Sequence, residues 1–384
     1  MSKTIVRYGM IGGSAGAFIG DVHRKAIAFD RRAELVCGCF SRNADINRET
    51  GKSLRLDDGR VYSDYADMAR LESARQDRPD FIVITTPNSL HYEIAREFLL
   101  RDINVVCEKP LCFEIEQAQE LQALADSRGL LFAVTYAYSG YAMVKFARAL
   151  VQGGKIGDII SVNAEYLQDW FYEHLENTPD GVSPLPVWRI DPKYTGIANC
   201  TGDIGTHIEN TVAYITGLEI ARISAKTHDF GHGLDIHANM MIEYTNGISG
   251  LYTCSQICAG HHNGLVVRIF GTKGAVEWQQ ESPDVLKVTY KGEPTQLFTR
   301  GNAYISGRAA TISRIPSGHP EGYYIAFANL YEAFIGALLK KANGEPLTPD
   351  DLDFPTVRDG VSGVKFVHAV VNSAKNDSQW VGLL

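Results

Sequence analysis

The chain has 384 residues, of which 45% are apolar and 21% charged, and its formal net charge is −8. That length predicts two domains, each able to bury a core, and the balance excludes a disordered or fibrous chain. An acidic total without any block of Lys or Arg excludes a nucleic-acid footprint and an anionic membrane surface as partners, leaving a small molecule as the expected ligand.

The start, MSKTIVRYGMIGG, lacks the basic, apolar and small-residue segments of a signal peptide, and later apolar runs are short, so a cytoplasmic protein without membrane attachment is expected. Seven cysteines at irregular spacing form neither a disulfide framework nor paired zinc knuckles, and reduced buried thiols are the plain reading.

Residues 5–12, IVRYGMIG, read as a strand that passes into the glycine turn GSAGAFIG and then a helix. Strand, turn and helix in that order suit a pyrophosphate, because glycine lets backbone amides and the positive helix end approach the anion closely. Gly12, Ser14, Gly16 and Gly20 resemble the dinucleotide fingerprint with roughly three residues inserted and serine at one glycine place. A second strand, Ala33 to Phe40, delivers Ser41 and Arg42 where a doubly wound fold reads the adenosine ribose. An acidic residue there would bond the 2′-hydroxyl of NAD. Ser41 with Arg42 could instead accept the 2′-phosphate of NADP, stack on adenine, or simply be solvated.

Phe81 to Thr85 reads as a buried strand, with Asn88 or Ser89 capping a helix whose Leu90, Ile94 and Phe98 share one face. Ile103 to Cys107 forms the next strand and ends in Glu108, Lys109 and Pro110, at the carboxyl edge where open α/β sheets bind ligands. A lysine fixed between a buried strand and a proline is poorly placed to leave that crevice.

After the strand Leu130 to Thr135 comes Tyr136-Ala137-Tyr138-Ser139-Gly140-Tyr141, and the domain boundary is placed near residue 140. The first domain is thus 1–140 and the second 141–384. The strand Ile159 to Tyr166 precedes a long connection holding Trp170, Phe171, Tyr172, Trp188 and Arg189, whose aromatic faces suit a sugar ring, with ordinary packing as the alternative for each. Residues 203–217 read as a helix with Ile204, Ile208, Val212 and Ile215 inward. Asp203 and His207, four apart, share a face of it, with Asp203 in its first turn. Beyond Ile220, apolar segments of strand length separated by Gly, Asn and Asp predict successive antiparallel strands. The loop carrying His319 then opens an amphipathic helix.

TPNSLHYEIA, VVCEKPL and DIGTH together resemble the glucose-fructose oxidoreductase and inositol dehydrogenase family, Gfo/Idh/MocA. GSAGAFIG, Trp188-Arg189-Ile190-Asp191-Pro192 and Gly318-His319-Pro320-Glu321-Gly322 extend the likeness over nearly the whole chain, the later motifs toward its levoglucosan-dehydrogenase-like branch. The resemblance implies an N-terminal Rossmann domain, a doubly wound parallel sheet, and a C-terminal domain on a large, mostly antiparallel sheet. It further implies a site between the two and a homodimer or homotetramer formed through that sheet. It assigns Gly12, Gly13, Ser14, Gly16, Phe18, Ile19, Ser41, Arg42, Thr86, Pro87, Asn88, His91, Glu108, Lys109 and Pro110 to the cofactor, NAD or NADP. Tyr136, Tyr138, Trp170, Trp188, Arg189, Asp203, His207 and His319 fall to the substrate. Ser14 departs from the family's glycine, and Ser41-Arg42 from the acidic residue common in its NAD-preferring members.

The expected activity is NAD(P)-dependent oxidation of a secondary hydroxyl, of C3 type, in a sugar, glycoside, anhydrosugar or cyclitol. His207 takes the hydroxyl proton, Lys109 stabilises negative charge on the oxygen, and Asp203 orients the substrate or the imidazole. Two other readings stay open: a glycosidase that oxidises C3 transiently, with Tyr136 or Tyr138 as the further base, and a sugar- or nucleotide-sensing regulator without catalysis. A zinc site on His207, His228, His232 and His237 is disfavoured because no HxxxH or CxxC pair supports it.

Overall fold

The computed structural model describes residues 3–174 and 190–383. It divides into one unit of residues 1–137 with 323–364 and another of residues 138–322 with 365–384.

The first unit is built on a parallel sheet of β1 (Val6–Gly12), β2 (Ala33–Cys39), β3 (Phe81–Thr85), β4 (Asn104–Cys107) and β5 (Phe132–Val134), in the order β2-β1-β3-β4-β5. Phe81, Ile82, Val83 and Ile84 are all buried, as strands covered on both faces must be. Helix α1 (Phe18–Ala28) covers one face through Val22, Ala26 and Ile27. On the other face lie α3 (Tyr65–Ser73), α4 (His91–Leu99) and α5 (Ile115–Arg128), supplying Met68, Ile94, Phe98 and Leu121; α2 (Ala44–Ser53) follows β2. The order reverses between β1 and β3, so the crevice at their carboxyl ends, Gly12 and Thr85, is where this topology places a ligand. Neither Asn88 nor Ser89 caps α4 with its side chain: a short 3-10 turn, Asn88–Leu90, runs straight into the helix, and the His91 amide donates to the Asn88 carbonyl.

In the second unit, α6 (Ala142–Gln152) leads to β6 (Ile159–Leu167), and the one-turn helix α7 (Pro192–Thr195) precedes α8 (Thr206–Thr216). Strands β7 (Ile220–His228), β8 (His237–Tyr244), β9 (Ser249–Ser255), β10 (Gly264–Gly271), β11 (Gly274–Gln279), β12 (Val285–Tyr290) and β13 (Gln296–Thr299) follow, then the short α9 (Arg308–Thr311). With β14 (Val381–Gly382) they form a nine-stranded sheet, antiparallel throughout except where β6 lies parallel to β9. Burial alternates along its strands. Val162, Ala164 and Tyr166 of β6 point inward on the face that α6 and α8 cover, while Met241 and Leu251, paired across β8 and β9, stay exposed.

The chain returns to the first unit at α10 (Tyr323–Ala342), a return that a boundary near residue 140 alone does not contain. Phe327, Tyr331, Phe334 and Leu338 recur along one face of α10 and join the α1 side of the first core. The start of α11 (Val357–Lys375) adds Val357, Val361 and Val364 to the opposite side.

Candidate active site

At the carboxyl end of β1, Gly12, Gly13 and Gly16 have φ of 80°, 69° and 86°, a region other residues rarely enter. A Cβ on Gly12 would sit 2.8 Å from the Thr85 backbone, and one on Gly20 only 2.3 Å from the Gly13 Cα, so turn and helix meet at backbone distance. Around Gly16, by contrast, an added Cβ would meet nothing within 4 Å, which makes this the open side of the cradle. Ser14 is not among the residues of positive φ, so serine in the family's glycine place costs the backbone nothing. Arg24 fixes the turn from beneath, donating to the Gly13 carbonyl at 2.5 Å.

These residues fit a dinucleotide. The N-cap of α1, Ala17, provides no side-chain acceptor, so the first amides of α1, at Phe18 and Ile19, are left by their own cap for an anion. The buried Thr86 hydroxyl oxygen, just past β3, has no hydrogen-bond partner in the protein, and Pro87 and Asn88 follow it into the 3-10 turn. At the end of β2, the amides of Phe40 and Ser41 both donate to Asn47 Oδ1, at 2.7 and 3.3 Å, and Arg42 is exposed beside them. Asn47, which organises this corner, is marked by no local motif in the sequence.

The structure assigns His91 and Glu108 a supporting place. His91 is fully buried, with ring nitrogens 2.9 Å from the Pro110 carbonyl and 3.0 Å from that of Thr86, so it ties the loop after β3 to the turn after β4. Glu108 turns inward, accepting from Thr135 Oγ1 and pairing with His23 Nε2 at 2.9 Å, while His23 Nδ1 lies 2.6 Å from the Tyr331 hydroxyl. Between them Lys109 is half-buried and joined to Pro110 by a cis peptide bond. Tyr136 is packed in the first core with 1% exposure.

In the second unit, Asp203 lies not in a regular first turn but in a π turn, Thr201–Gly205, that runs into α8. That turn is held by Asp235, a buried carboxylate accepting from the amides of Asn199 and Thr201 at 2.7 Å each and from Thr201 Oγ1 at 2.6 Å. Burial pushes the Asp235 carboxyl upward against those bonds. Gln256 Nε2 donates to Asp203 Oδ2 at 3.3 Å.

His207 is 7% exposed, with the Tyr138 ring centroid at 4.6 Å and that of Tyr166 at 6.1 Å. The two tyrosine hydroxyls are hydrogen-bonded, and because Tyr166 donates onward to Asn263 Oδ1 at 2.5 Å, Tyr138 is the donor to Tyr166. Gln168 Nε2 reaches the same Asn263 oxygen at 3.0 Å, and Trp170 Nε1 donates to Gln168 Oε1 at 2.9 Å. Tyr138 and Trp170 thus share one hydrogen-bonded network, whose tyrosine rings pack on His207, and Asp203 belongs to a second one through Gln256. His319 is exposed, its carbonyl accepting from the buried Arg300. Trp188 and Arg189 lie outside the described residues. Among the described residues no group of three His, Cys, Asp or Glu side chains is arranged to hold a metal, and no helix is long and apolar enough to cross a membrane.

Residues 6–136 match the Gfo/Idh/MocA oxidoreductase domain, an NAD-binding Rossmann fold, and residues 144–277 match the C-terminal domain of the same family. The chain belongs to the Gfo/Idh/MocA oxidoreductase family. It is 32% identical to an uncharacterized oxidoreductase of Bacillus subtilis over 98% of this chain and 96% of that one. A levoglucosan dehydrogenase of Pseudarthrobacter phenanthrenivorans is 28% identical over 79% of this chain and 80% of its own. Among solved structures, an inositol dehydrogenase homolog from Azotobacter vinelandii complexed with NAD+ superposes with a TM-score of 0.92 at 32% identity, covering 99% of this chain and 98% of its own. The protein is an NAD-binding oxidoreductase, with residues 6–136 as its NAD-binding Rossmann fold.

Proposed function

We propose that the protein is an NAD-dependent dehydrogenase that oxidises a secondary hydroxyl, of C3 type, in a sugar, anhydrosugar, glycoside or cyclitol. The observation that carries this reading is His207, an imidazole buried against the rings of Tyr138 and Tyr166 in the first turn of α8, directly after the π turn that holds Asp203. Bound NAD supplies the hydride acceptor. His207 accepts the hydroxyl proton, for which an imidazole is suited near neutral pH. Lys109, at the carboxyl edge of the parallel sheet, stabilises the oxygen as it becomes negative, and Asp203 orients the reacting groups. The levoglucosan and inositol relatives support a polyhydroxylated substrate.

Elimination after transient oxidation, the glycosidase path, needs another base near C2. Tyr138 is poorly suited, since its hydroxyl donates to Tyr166 and burial pushes its pKa up to about 12. The exposed Met241–Leu251 pair on the uncovered sheet face supports association of copies through that face.

The test incubates the protein with NAD or NADP and a panel of inositols, free sugars, anhydrosugars and glycosides, following reduced cofactor and aglycone together. Steady cofactor reduction is expected, lowered by about 10²–10⁴-fold in His207→Ala and comparably in Lys109→Ala, with NAD still bound by the His207 variant. Aglycone release without net reduction would replace this reading with the glycosidase, and tight cofactor binding with neither signal would replace it with the regulator.

A further inference from the structure

We propose that Gln256 is the positioning residue for Asp203, its amide held end to end so that it presents only a donor to that carboxylate. The proposal deepens the reading above, in which Asp203 acts beside the reacting hydroxyl, and rests on it. Gln256 follows β9 directly and is fully buried. Its backbone is fixed on both sides: the amide donates to the Ile236 carbonyl at 3.0 Å, and the carbonyl accepts from the Phe171 amide at 3.0 Å.

The side chain has no freedom to flip. Oε1 accepts from Asn199 Nδ2 at 2.7 Å, which leaves Nε2 to face Asp203 Oδ2. Asn199 is oriented in turn, because the same Nδ2 also lies 3.2 Å from the Asp235 carbonyl. Donor direction is therefore passed from the Asp235 backbone through Asn199 and Gln256 to Asp203. That ordering spends both Nδ2 protons on acceptors and leaves the buried Asn199 Oδ1 without a hydrogen-bond partner. A network carrying such a loss is explained when the orientation it enforces serves the site. Through the Phe171 amide the same residue also anchors the start of the aromatic connection that includes Trp170.

The titratable groups around Asp203 are Tyr138, which senses its charge, Cys200 and Cys254 of the adjoining turn and strand, Asp235 behind the turn, and His207 and Glu209 on α8. Gln256→Glu changes only the group that faces the carboxylate: the new side chain can still accept from Asn199, but a second carboxylate opposes ionisation of Asp203.

The acid limb of kcat/KM, measured on the panel substrate that the parent protein oxidises fastest, should move to higher pH by about one unit or more in Gln256→Glu. On that limb kcat/KM should fall about tenfold for each unit of displacement, with NAD affinity unchanged. Gln256→Met, which removes the donor without adding charge, should lower kcat more than it raises KM and displace the limb less. An acid limb that stays in place while rate follows thermal stability would overturn the proposal and leave Gln256 a packing residue. If Gln256→Glu does not fold, Gln256→Met decides by the split between kcat and KM, a variant with both unchanged overturning the proposal. Asp203→Asn, run in parallel, separates the two claims. A fully active Asp203→Asn sinks the role given to Asp203, whereas an inactive one beside an unshifted Gln256→Glu sinks only the role given to Gln256.

Discussion

At Gly12–Gly20 strand, turn and helix stay close because three residues there carry no side chain into the space where they meet. At Thr201–Gly205 the backbone bends into a π turn whose position comes from side chains far along the chain, Asp235 and Gln256. The first arrangement is held because nothing can be added at Gly12, Gly13 or Gly20, the second because nothing can be taken away. Under the proposed function, the first would serve one constant ligand, NAD, and can be made of backbone, whereas the second would face the substrate and must orient particular charges through side chains.

The comparison predicts opposite sensitivities. Asp235→Ala removes the acceptor of two buried backbone amides and one hydroxyl, and should destabilise the protein by about 3 kcal/mol in chemical denaturation. Turnover should suffer even where the protein remains folded, and NAD affinity should not. Undiminished turnover at that loss of stability would mean that the π turn keeps its shape without its clamp.

A smaller effect of reversed kind is expected at Gly20. Gly20→Ala places a Cβ against the Gly13 Cα, where the nearest atoms are backbone and cannot swing aside. Overpacking of this sort costs about 2 kcal/mol, which should appear as NAD binding weakened by roughly thirtyfold in a fluorescence titration. Turnover at saturating NAD should be largely retained. Gly16→Ala is the control, strained by its φ but meeting no neighbour, and equal weakening in both variants would show that conformation rather than close approach makes the cradle.

These differences also explain what could be read from the sequence. The parallel sheet, its glycine turn and the Lys109 edge were legible because each is a local pattern, apolar strand followed by turn residues, within a few positions. Asp203 and His207 were legible as a spaced pair on a helix with Ile204, Ile208, Val212 and Ile215 inward, all four of which are buried. The π turn was not, since nothing in Thr201–Gly205 distinguishes it from an ordinary first turn; its cause is Asp235, more than thirty positions away. The return of α10 was hidden similarly. An amphipathic helix declares that it will bury a face, but not against which sheet, and Phe327 and Phe334 could have covered either. His91 and Glu108 show a third limit: the motif marks them as belonging to the site without saying that their side chains face inward.

His91 qualifies the contrast, because here the first unit does use a buried side chain to hold its cofactor edge. Its ring bridges two carbonyls, and burial pushes its pKa below the ordinary histidine value, so at neutral pH it is uncharged and donates to one of them. The unfolded chain, with the ordinary value, takes up a proton first as pH falls. Stability therefore declines as pH drops through the ordinary histidine range, and the slope vanishes only once the folded ring also protonates. His91→Gln keeps an amide that can donate to a carbonyl but cannot titrate. The protein has 11 histidines, so the informative quantity is the difference between parent and variant denaturation midpoints from pH 7.5 down to 5.5, in which the others cancel. The parent's advantage should shrink as the pH falls. An advantage that instead grows as the pH falls would mean that the folded ring holds its proton and bonds both carbonyls as a cation, making this corner as dependent on a side-chain charge as the Asp235 clamp, and a constant difference would mean that folding leaves the ring's titration unchanged.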